Sequence, residues 1–536
     1  MSSEKRTNLK DDAVLASKYD TPGDGVPFRV KVRHPHYTWA KTFSSLPELF
    51  IQPESQAEVE KVVNLARKWR RRVCVVGCGH SPSDLTVTSS WLVNLDNYPK
   101  ILSLDARTGI VVVQSGIRLY DLCEELDRYG LAMNNLGSII EQSMGGVFAT
   151  GTHGSSLRHG LLSEDVLALK ITLADGTTKA CSATENTELF RAALLSLGAL
   201  GIITEVTYRA VPAFSLKWTQ TIESHASVFS RWAGGGLWTQ AEFVRVWWLP
   251  YTGRAVVWHA DHSDEPHVDP PVSYYDQALG YYVYHNLLAL ARHVPRIVPW
   301  IEWFVFGMQF GFRDGGSTTA VQPSRRALLL NCLYSQSVNE WAVPLSRGPE
   351  TLARLSAWLN RLRPGDAGYV DHGIPFSAEG LYVHAPVEVR VSDTSRAPGP
   401  RPFLDPTSPT EPSVYLNAIM YRAYRRDPPG TDRYYAGFEW LMRDVGGRPH
   451  WAKNFLTEDL AALYGADLAA WRRVRDDADP EGMFAGAWHR RLVLGDTPVL
   501  PLEEGETGRT EFPGLGFRVT GENLKKIQGA TAAETV

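Results

Sequence analysis

The chain has 536 residues, which is too many for one ordinary hydrophobic core, so two or three domains are expected. Hydrophobic residues make up 44% of it and charged residues 21%, a balance that is typical of globular proteins and argues against general disorder. The formal net charge is −4 and no long basic run occurs, so nucleic acid is not expected as a partner.

Cysteine usage and the N-terminal sequence bear on the compartment. The five cysteines are odd in number and none forms a Cys-x-x-Cys pair, so no disulfide framework and no metal site is predicted. The N-terminal run MSSEKRTNLKDD has no apolar core like that of a secretory signal. No uncharged apolar run reaches the roughly 18 residues of a transmembrane helix. We therefore expect an intracellular protein.

The first unit of the chain mixes helices, strands and hairpins. Beyond a predicted tail over residues 1–24, the run SQAEVEKVVNLARKWRR has helical spacing and starts with a capping-box pattern of Ser55 and Glu58. A short strand over 73–76 leads into a glycine loop. Strands and helices then continue to about residue 213, including a hairpin that turns at Asp175 and Gly176. This order lacks the regular alternation of a doubly wound sheet and predicts an α+β unit over residues 25–213.

The sequence pattern changes at Phe214, where a second region begins. Strand-like runs such as FVRVWWLP and AVVWHA alternate with loops. The segment 274–312 is rich in aromatic and basic residues, so it predicts either an interfacial membrane anchor or a pair of helices packed on a sheet. We favour the helix pair, because amphipathic core helices are far more common. The residues 501–536 are predicted to be a tail.

The loop VVGCGHSPSD follows the strand at 73–76. A strand that ends in Gly77 and Gly79 and then in small polar residues is one way for a backbone to approach a pyrophosphate. However, the motif is not Gly-x-Gly-x-x-Gly, and no helix of the Rossmann kind follows it. Taken alone, it is more typical of a tight turn between strands than of a phosphate loop.

A second glycine-rich stretch, NNLGSIIEQSMGGVFATGTHGSS, runs from Asn134 to Ser156. It is too polar and glycine-rich for a plain core and too apolar for a linker. Its side-chain donors and acceptors, among them Gln142, Ser143 and Thr152, suit a backbone that lies against a large, flat ligand with phosphates. The two stretches together therefore predict a nucleotide-type cofactor site.

These two stretches resemble the FAD-binding domain of the vanillyl-alcohol oxidase family, which is of the p-cresol methylhydroxylase (PCMH) type. Further matches, HYTWAKTF, QPES, EWAVP, APVEVR, RPHWAKNF and DPEGMF, make the chain most similar to its sugar-lactone oxidase group, and to the fungal arabinonolactone branch in particular. The resemblance implies a two-part FAD-binding domain over 25–213 and a cap domain with a large antiparallel sheet over 214–444. The segment 445–500 is then expected to return to the FAD domain.

The resemblance implies FAD as the cofactor and His80 as its covalent anchor through the 8α carbon of the flavin. A neutral imidazole is a nucleophile near pH 7, which suits this role. The alternative is a histidine that only forms hydrogen bonds in the loop. The residues expected to contact FAD are Gly77, Cys78, Gly79, His80, Ser81, Pro82, Ser83, Gly137, Ser138, Gln142, Ser143, Gly145, Gly146, Thr150, Gly151, Thr152, His153, Ile202 and Ile203.

Glu388 and Arg390 are the main candidates for catalysis. Residues two apart on a strand face the same side, so VEVR directs a carboxylate and a guanidinium into one space. A surface ion pair is the alternative. The resemblance places this pair beside the substrate, and places His450 and Lys453 near the flavin, although HWAK is also typical of the start of a helix. Glu340 in EWAVP and its neighbour Trp341 are expected to line the pocket.

The implied reaction oxidises an aldono-1,4-lactone at C2 and passes the electrons to O2, which yields H2O2. Gly137 favours this oxidase, because the resemblance places a small residue where oxygen reaches the flavin. The alternatives are a dehydrogenase that uses cytochrome c or a quinone, an alditol or oligosaccharide oxidase, and a membrane-bound flavin scaffold without turnover. Peripheral attachment to a mitochondrial membrane, the outer one in particular, is expected from the resemblance, with the cytoplasm as the alternative.

Overall fold

The computed structural model describes residues 14–495 apart from 16, 22, 274, 276, 331–333 and 458. The predicted tail over 501–536, residues 1–13 of the predicted N-terminal tail, and Cys332 lie outside the described residues. Within the described part, three sheets of four, five and eight strands account for most of the strand residues, and two short strand pairs supplement them.

The first sheet contains four strands and is covered by one helix. Its region contains β1 (Val30–Lys31), β2 (His36–Tyr37), β3 (Ser44–Ser45), β4 (Leu49–Ile51), α1 (Gln56–Lys68), β5 (Val73–Val76) and β6 (Trp91–Asn94). The strand order is β1-β4-β6-β5, with β4 and β5 parallel to β6. The predicted helix is confirmed, and the Ser55 side chain accepts a hydrogen bond from the Glu58 N–H at its start. The apolar face of α1 packs on the sheet.

The second sheet contains five strands that are all antiparallel. Its region contains β7 (Ile101–Asp105), β8 (Ile110–Gln114), α2 (Leu119–Arg128), β9 (Leu131–Ala132), α3 (Met144–Ala149), β10 (Val166–Thr172), β11 (Thr178–Ser182), α4 (Thr187–Ala193), β12 (Ile202–Arg209) and β13 (Val211–Pro212). The order is β11-β10-β12-β8-β7. The predicted hairpin is β10–β11, and Gly176 in its turn has a φ of 84°, which favours glycine.

The third sheet is the large antiparallel sheet that the resemblance implied, so the predicted α+β fold is confirmed. Its region contains β14 (Ser215–Ser224), α5 (His225–Ala233), β15 (Phe243–Leu249), β16 (Arg254–His262), α6 (Ala278–Ala291), α7 (Val298–Phe310), β17 (Ser317–Pro323), α8 (Ser324–Ala327), β18 (Gln336–Pro344), α9 (Gly348–Leu359), β19 (Val387–Ser392), β20 (Ser413–Tyr421), α10 (Thr431–Asp444) and β21 (Arg448–Pro449). The order is β17-β14-β16-β15-β19-β20-β18-β21. One face packs against α5, α9 and α10 in an apolar core.

The aromatic segment forms the helices α6 and α7, which confirms the predicted helix pair. The two helices share a core of their own that includes Tyr284, Leu288, Ile301 and Phe306. Large apolar side chains remain exposed on the same pair, as described below. None of the described helices is both long and apolar enough to cross a membrane.

The C-terminal helices α11 (Leu460–Ala478) and α12 (Ala487–His489) pack against the first two sheets. The N–H of Val73 donates to the carbonyl of Met483 at 2.8 Å, and that of Ala174 donates to Ala478 at 3.3 Å. Met483 and the adjacent Phe484 are buried in the core of the first sheet. These contacts agree with a returning segment, although β21 still pairs with β18 of the large sheet. The proposed boundary at residue 445 stays a prediction.

Candidate functional site

A cavity of about 980 Å³ lies where the inner face of the large sheet meets the first two sheets. This volume is near the upper end of the range for small-molecule sites in proteins. Both glycine-rich stretches line it, and so do Glu388, Arg390, His450 and Lys453. The cavity therefore collects residues that are separated by more than 300 positions in the chain.

The loop after β5 lies directly against the second glycine-rich stretch. The Cys78 N–H donates a hydrogen bond to Ser143 Oγ at 3.2 Å, and Asn94 Nδ2 donates to the Gly77 carbonyl at 2.9 Å. A Cβ atom on Gly77 would lie 2.1 Å from Ser143 Oγ, so only glycine allows this approach. Gly79 has a φ of 66°, which favours glycine for a second reason. The motif is therefore a tight turn and a cavity wall at once.

Most of the predicted FAD contacts line this cavity. Three of them do not: Ile202 is fully buried in the core of the first sheet, Ser83 is buried beside the loop, and Gly151 lies in a left-handed turn after α3. Gly146 faces open space, since a Cβ atom there would meet nothing within 4 Å. The predicted residues that line the cavity are Gly77, Cys78, Gly79, His80, Ser81, Pro82, Gly137, Ser138, Gln142, Ser143, Gly145, Gly146, Thr150, Thr152, His153 and Ile203.

His80 presents a neutral imidazole to the cavity. Its ring stacks on Trp39 with centroids 4.5 Å apart and planes inclined by 20°. Burial, and then the charge of Lys453, lower the pKa of His80 to about 4. Its Nε2 atom is buried and has no hydrogen-bond partner among the described residues. A buried ring nitrogen without a partner, set beside a glycine cradle, fits a flavin that lies against this wall.

Glu388 and Arg390 lie side by side on β19 and are both buried, so the surface ion pair is excluded. Arg390 Nε is 3.6 Å from Glu388 Oε1. Ser138 Oγ joins the two, because it donates to Glu388 Oε1 at 3.3 Å and accepts from Arg390 Nη1 at 3.3 Å. Asn417 Nδ2, on the neighbouring strand, donates to Glu388 Oε2 at 3.2 Å. The pair is thus held from both sides of the cavity.

Glu340 lies behind this pair, and it does not line the cavity as expected. It is fully buried on β18, with Arg390 Nη2 at 2.6 Å from Oε1 and Lys453 Nζ at 3.5 Å from Oε2. His153 Nε2 is 3.2 Å from the same Oε1 atom. Trp341 points to the opposite face, in the outer core, because neighbouring residues of a strand alternate. Glu340 therefore holds two cations of the site from below.

Electrostatics keep both carboxylates ionised. Burial raises the pKa of Glu388, but the nearby Arg390 and Arg245 outweigh it, so the pKa lies below its usual value. Burial also raises the pKa of Glu340, and Arg390 and Lys453 reverse this to well below the usual range. Glu388 and Glu340 in turn raise the pKa of Arg390 against the effect of burial. The cavity wall is consequently a fixed array of full charges.

His153, Glu340 and His450 offer ligand atoms that all lie within 4.8 Å of one another. A metal ion there would face Arg390 and Lys453, which already neutralise the carboxylate. The geometry therefore favours a cation network without a metal.

The HWAK motif forms a turn after β21. It is not the start of a helix, since α11 begins only at residue 460.

Comparisons with known proteins agree with this geometry. A family model described as D-arabinono-1,4-lactone oxidase matches residues 206–492, and one described as FAD binding domain matches 47–182. The chain belongs to the D-arabinono-1,4-lactone oxidase family. The D-arabinono-1,4-lactone oxidase of Yarrowia lipolytica is 39% identical over 84% of this chain and 95% of its own length. A Neurospora crassa protein provisionally given that name is 60% identical, with 97% of each chain covered.

Two solved structures share the fold of this family member. A solvent-stable cholesterol oxidase has a TM-score of 0.70 at 19% identity, covering 88% of this chain and 100% of its own. The cholesterol oxidase of Brevibacterium sterolicum has a TM-score of 0.72 at 16% identity, covering 89% and 99%. At this identity the likeness concerns architecture alone. The family membership makes the protein a flavoenzyme with FAD as its cofactor, as predicted.

Several functional residues of this lactone oxidase family member were not predicted from the sequence. Arg245, on β15, lines the cavity with Nε 3.8 Å from Glu388 Oε1. Asn417 and Trp39 hold Glu388 and His80, respectively. A signal existed for Arg245, because a charged residue inside the apolar run FVRVWW is unusual unless it is paired. Trp39 lies in the matching motif HYTWAKTF but was given no role there, and Asn417 lies in a stretch that carries no such signal.

Proposed function

We propose that the protein is an FAD-dependent oxidase that converts an aldono-1,4-lactone, D-arabinono-1,4-lactone or a close analogue, to an ascorbate-type product. The observation that carries this proposal is the buried Glu388–Arg390 pair on the cavity wall, joined by Ser138 to the glycine-rich stretch. A substrate between these two walls would contact both the charge pair and the cofactor. The names of the relatives support a lactone as that substrate.

The lactone is oriented by two opposite charges. The ionised Glu388 accepts a hydrogen bond from the C2 hydroxyl and helps to draw off its proton. Arg390 donates to the lactone carbonyl oxygen and stabilises negative charge that develops there. Lys453, half-buried at the cavity and 3.5 Å from Glu340 Oε2, favours negative charge on a reduced cofactor. His450 lies beside it as a neutral ring, because burial lowers its pKa well below the usual value. These roles use groups that the fold already holds in place.

FAD held against the glycine-rich wall and His80 would supply the acceptor for the hydride lost from C2 and would deliver the two electrons to O2, which with two protons gives H2O2. The lactone loses two hydrogens and becomes a 2-ketolactone, which enolises to an ene-diol. The decisive experiment mixes the yellow enzyme with D-arabinono-1,4-lactone without oxygen and follows the flavin absorbance near 450 nm. Bleaching and later O2 uptake support an oxidase. Bleaching that only cytochrome c or a quinone reverses would establish a dehydrogenase, and absence of bleaching by every lactone would overturn the proposal.

We propose further that His80 carries the flavin covalently. Support comes from its neutral ring, held by Trp39, and from its buried Nε2 atom. After acid denaturation, a fluorescent flavin band should migrate at the mass of the chain in wild type and disappear in His80→Ala. Flavin that washes away from the denatured wild type would refute the covalent bond and leave the oxidase intact.

We also propose that α6 and α7 attach the protein peripherally to a membrane. Leu279, Tyr282, Trp300, Trp303 and Met308 are each 47–71% exposed on this pair. The basic residues between the two helices, Arg292, His293 and Arg296, suit anionic headgroups. Aromatic side chains beside basic ones are typical of an interfacial contact.

The test of attachment is sedimentation with lipid vesicles. Vesicles with anionic lipid should pellet the wild type, and Trp300→Ser with Trp303→Ser should reduce the pelleted fraction. Equal pelleting of both proteins would contradict this surface. We propose the mitochondrial outer membrane as the target, which subcellular fractionation tests against a cytoplasmic pool.

A further inference from the structure

The cavity continues along the large sheet, away from Glu388 and Arg390. On β15 Arg245 is paired with Trp258 of β16, Trp258 is paired with Gln220 of β14, and Gln220 with Thr318 of β17. All four residues line the cavity. Residues directly opposite one another on neighbouring strands share a face, so they form one row across the sheet. We name this row the outer arm of the cavity.

The outer arm is longer than a simple lactone. Neighbouring strands lie about 4.8 Å apart, so the three spacings from β15 to β17 span roughly 14 Å, and the distance from β19, which carries Glu388 and Arg390, to β17 is roughly 19 Å. A five-membered lactone ring with one hydroxymethyl group measures roughly 6–7 Å, from bond lengths near 1.5 Å. A lactone held by Glu388 and Arg390 would therefore leave most of the outer arm free.

The chemical character of the outer arm is mixed. Arg245 is 1% exposed, and its guanidinium carbon lies 5.4 Å from the ring centre of Trp258 and 6.0 Å from that of Trp247. Its Nη2 donates to the Leu328 carbonyl at 3.1 Å, whereas Nε forms no hydrogen bond among the described residues and lies 3.8 Å from Glu388 Oε1. That distance is too long for a hydrogen bond, so the buried Nε donor can still take an oxygen of a ligand as its acceptor.

Indole faces interleaved with an amide, a hydroxyl and a guanidinium suit a carbohydrate better than a purely apolar molecule. Trp247 and Trp258 both line the cavity, where an indole ring can pack on C–H groups of a sugar ring, and Gln220 and Thr318 can exchange hydrogen bonds with its hydroxyls. An apolar ligand would leave these polar groups unsatisfied.

We propose that the outer arm is a second subsite, which binds a glycosyl group carried on the exocyclic hydroxyl of the lactone. The inference rests on the proposed lactone oxidation and extends its substrate class to glycosylated aldono-1,4-lactones. Arg245 is then a specificity residue, because it donates a hydrogen bond to an oxygen of the substituent and also lies 3.8 Å from Glu388 Oε1.

The test compares kcat/KM for D-arabinono-1,4-lactone with that for the same lactone carrying a glucosyl group on its exocyclic hydroxyl. Gln220→Leu and Trp258→Phe are the variants. Thr219→Ala is the matched control, because Thr219 lies on the opposite face of β14 and bonds to Thr319 at 3.0 Å. Binding of the glucosylated 2-deoxylactone, which cannot be oxidised at C2, is measured by calorimetry as an independent readout.

Wild type is expected to use the glucosylated lactone at least as well as the bare one. Gln220→Leu should lower this ratio of kcat/KM, and weaken the calorimetric affinity, about tenfold, as the loss of one hydrogen bond predicts. The control should keep the wild-type ratio. If Gln220→Leu lowers kcat/KM equally for both lactones, the outer arm is an access channel and not a glycosyl subsite. Oxidation of the bare lactone alone would overturn the subsite only, and oxidation of neither would overturn the proposed function with it. If Trp258→Phe fails to fold, Gln220→Leu decides.

Discussion

Arg390→Met is the sharpest test of the charge array. Methionine keeps much of the length and apolar contact of arginine but removes the guanidinium. In the structure that group contacts Glu340 at 2.6 Å, Ser138 at 3.3 Å and Glu388 at 3.6 Å. The substitution therefore removes the donor proposed for the lactone carbonyl and one counter-charge from each of two buried carboxylates.

The magnitude follows from the role of that donor. Loss of one preorganised donor at a site of developing negative charge lowers rates by about 10²–10³-fold, or about 2.7–4 kcal/mol. We expect kcat/KM for the lactone to fall by that factor. Arg390 also lowers the pKa of Glu388, so its removal shifts that pKa upward. Activity requires the ionised carboxylate and is lost as the pH falls through its pKa, so the acidic limb of the pH profile should move to higher pH.

Anaerobic stopped-flow absorbance measures the effect directly, as the rate of flavin bleaching by lactone from pH 4 to 8. Arg254→Met is the matched control, because Arg254 lies on the same sheet but forms a partly exposed ion pair with Asp314. Its bleaching rate should match that of wild type, and flavin content should be equal in all three proteins. A rate for Arg390→Met within about threefold of wild type, with an unmoved acidic limb, would refute the reasoning.

Three further predictions concern stability and oxygen. Glu340→Gln leaves the buried Arg390 and the half-buried Lys453 without their shared carboxylate and should destabilise the fold by about 3–5 kcal/mol. An unchanged thermal midpoint would contradict this. Burial lowers the pKa of His159, but the carboxylates of Glu164 and Glu242 outweigh the effect of burial and raise that pKa to about 9. The stabilisation that the charged His159 ring contributes is thus fully present below pH 6.5 and is lost as the pH rises through about 9. Over that range the thermal unfolding midpoint should fall more steeply for wild type than for His159→Gln. Parallel plots of midpoint against pH for the two proteins would argue against this. Gly137→Ala places Cβ 2.9 Å from the Thr152 methyl group and should slow reoxidation of the reduced flavin by O2 more than reduction of the flavin by lactone. Rapid mixing of the reduced enzyme with O2 measures the reoxidation rate, and an unchanged rate would contradict this prediction.

The sequence carried more of the cofactor site than of the substrate site. The loop around His80 and the stretch from 134 to 156 are local patterns, since glycines and small polar residues must be adjacent in the chain to form a cradle. Glu388 and Arg390 were also predictable, because the two-residue period of a strand places them on one face without knowledge of its neighbours.

The residues around that pair were beyond the reach of local patterns. One row of the large sheet holds Glu340, Asn417 and Glu388, and the next row holds Arg245. These residues come together only because β18, β20, β19 and β15 pair in this register. Register depends on the whole sheet and on the core behind it, and a shift by one residue would turn each of these side chains to the opposite face.

By itself, the sequence determined the α+β class, the helix pair of the aromatic segment and the glycine cradle, because each follows from the spacing of residues close together in the chain. Only the tertiary structure decided that Glu340 lies behind Arg390 and that the cavity extends across seven strands of the large sheet. Such long-range contacts arise from strand pairing and burial, which act on the folded chain as a whole.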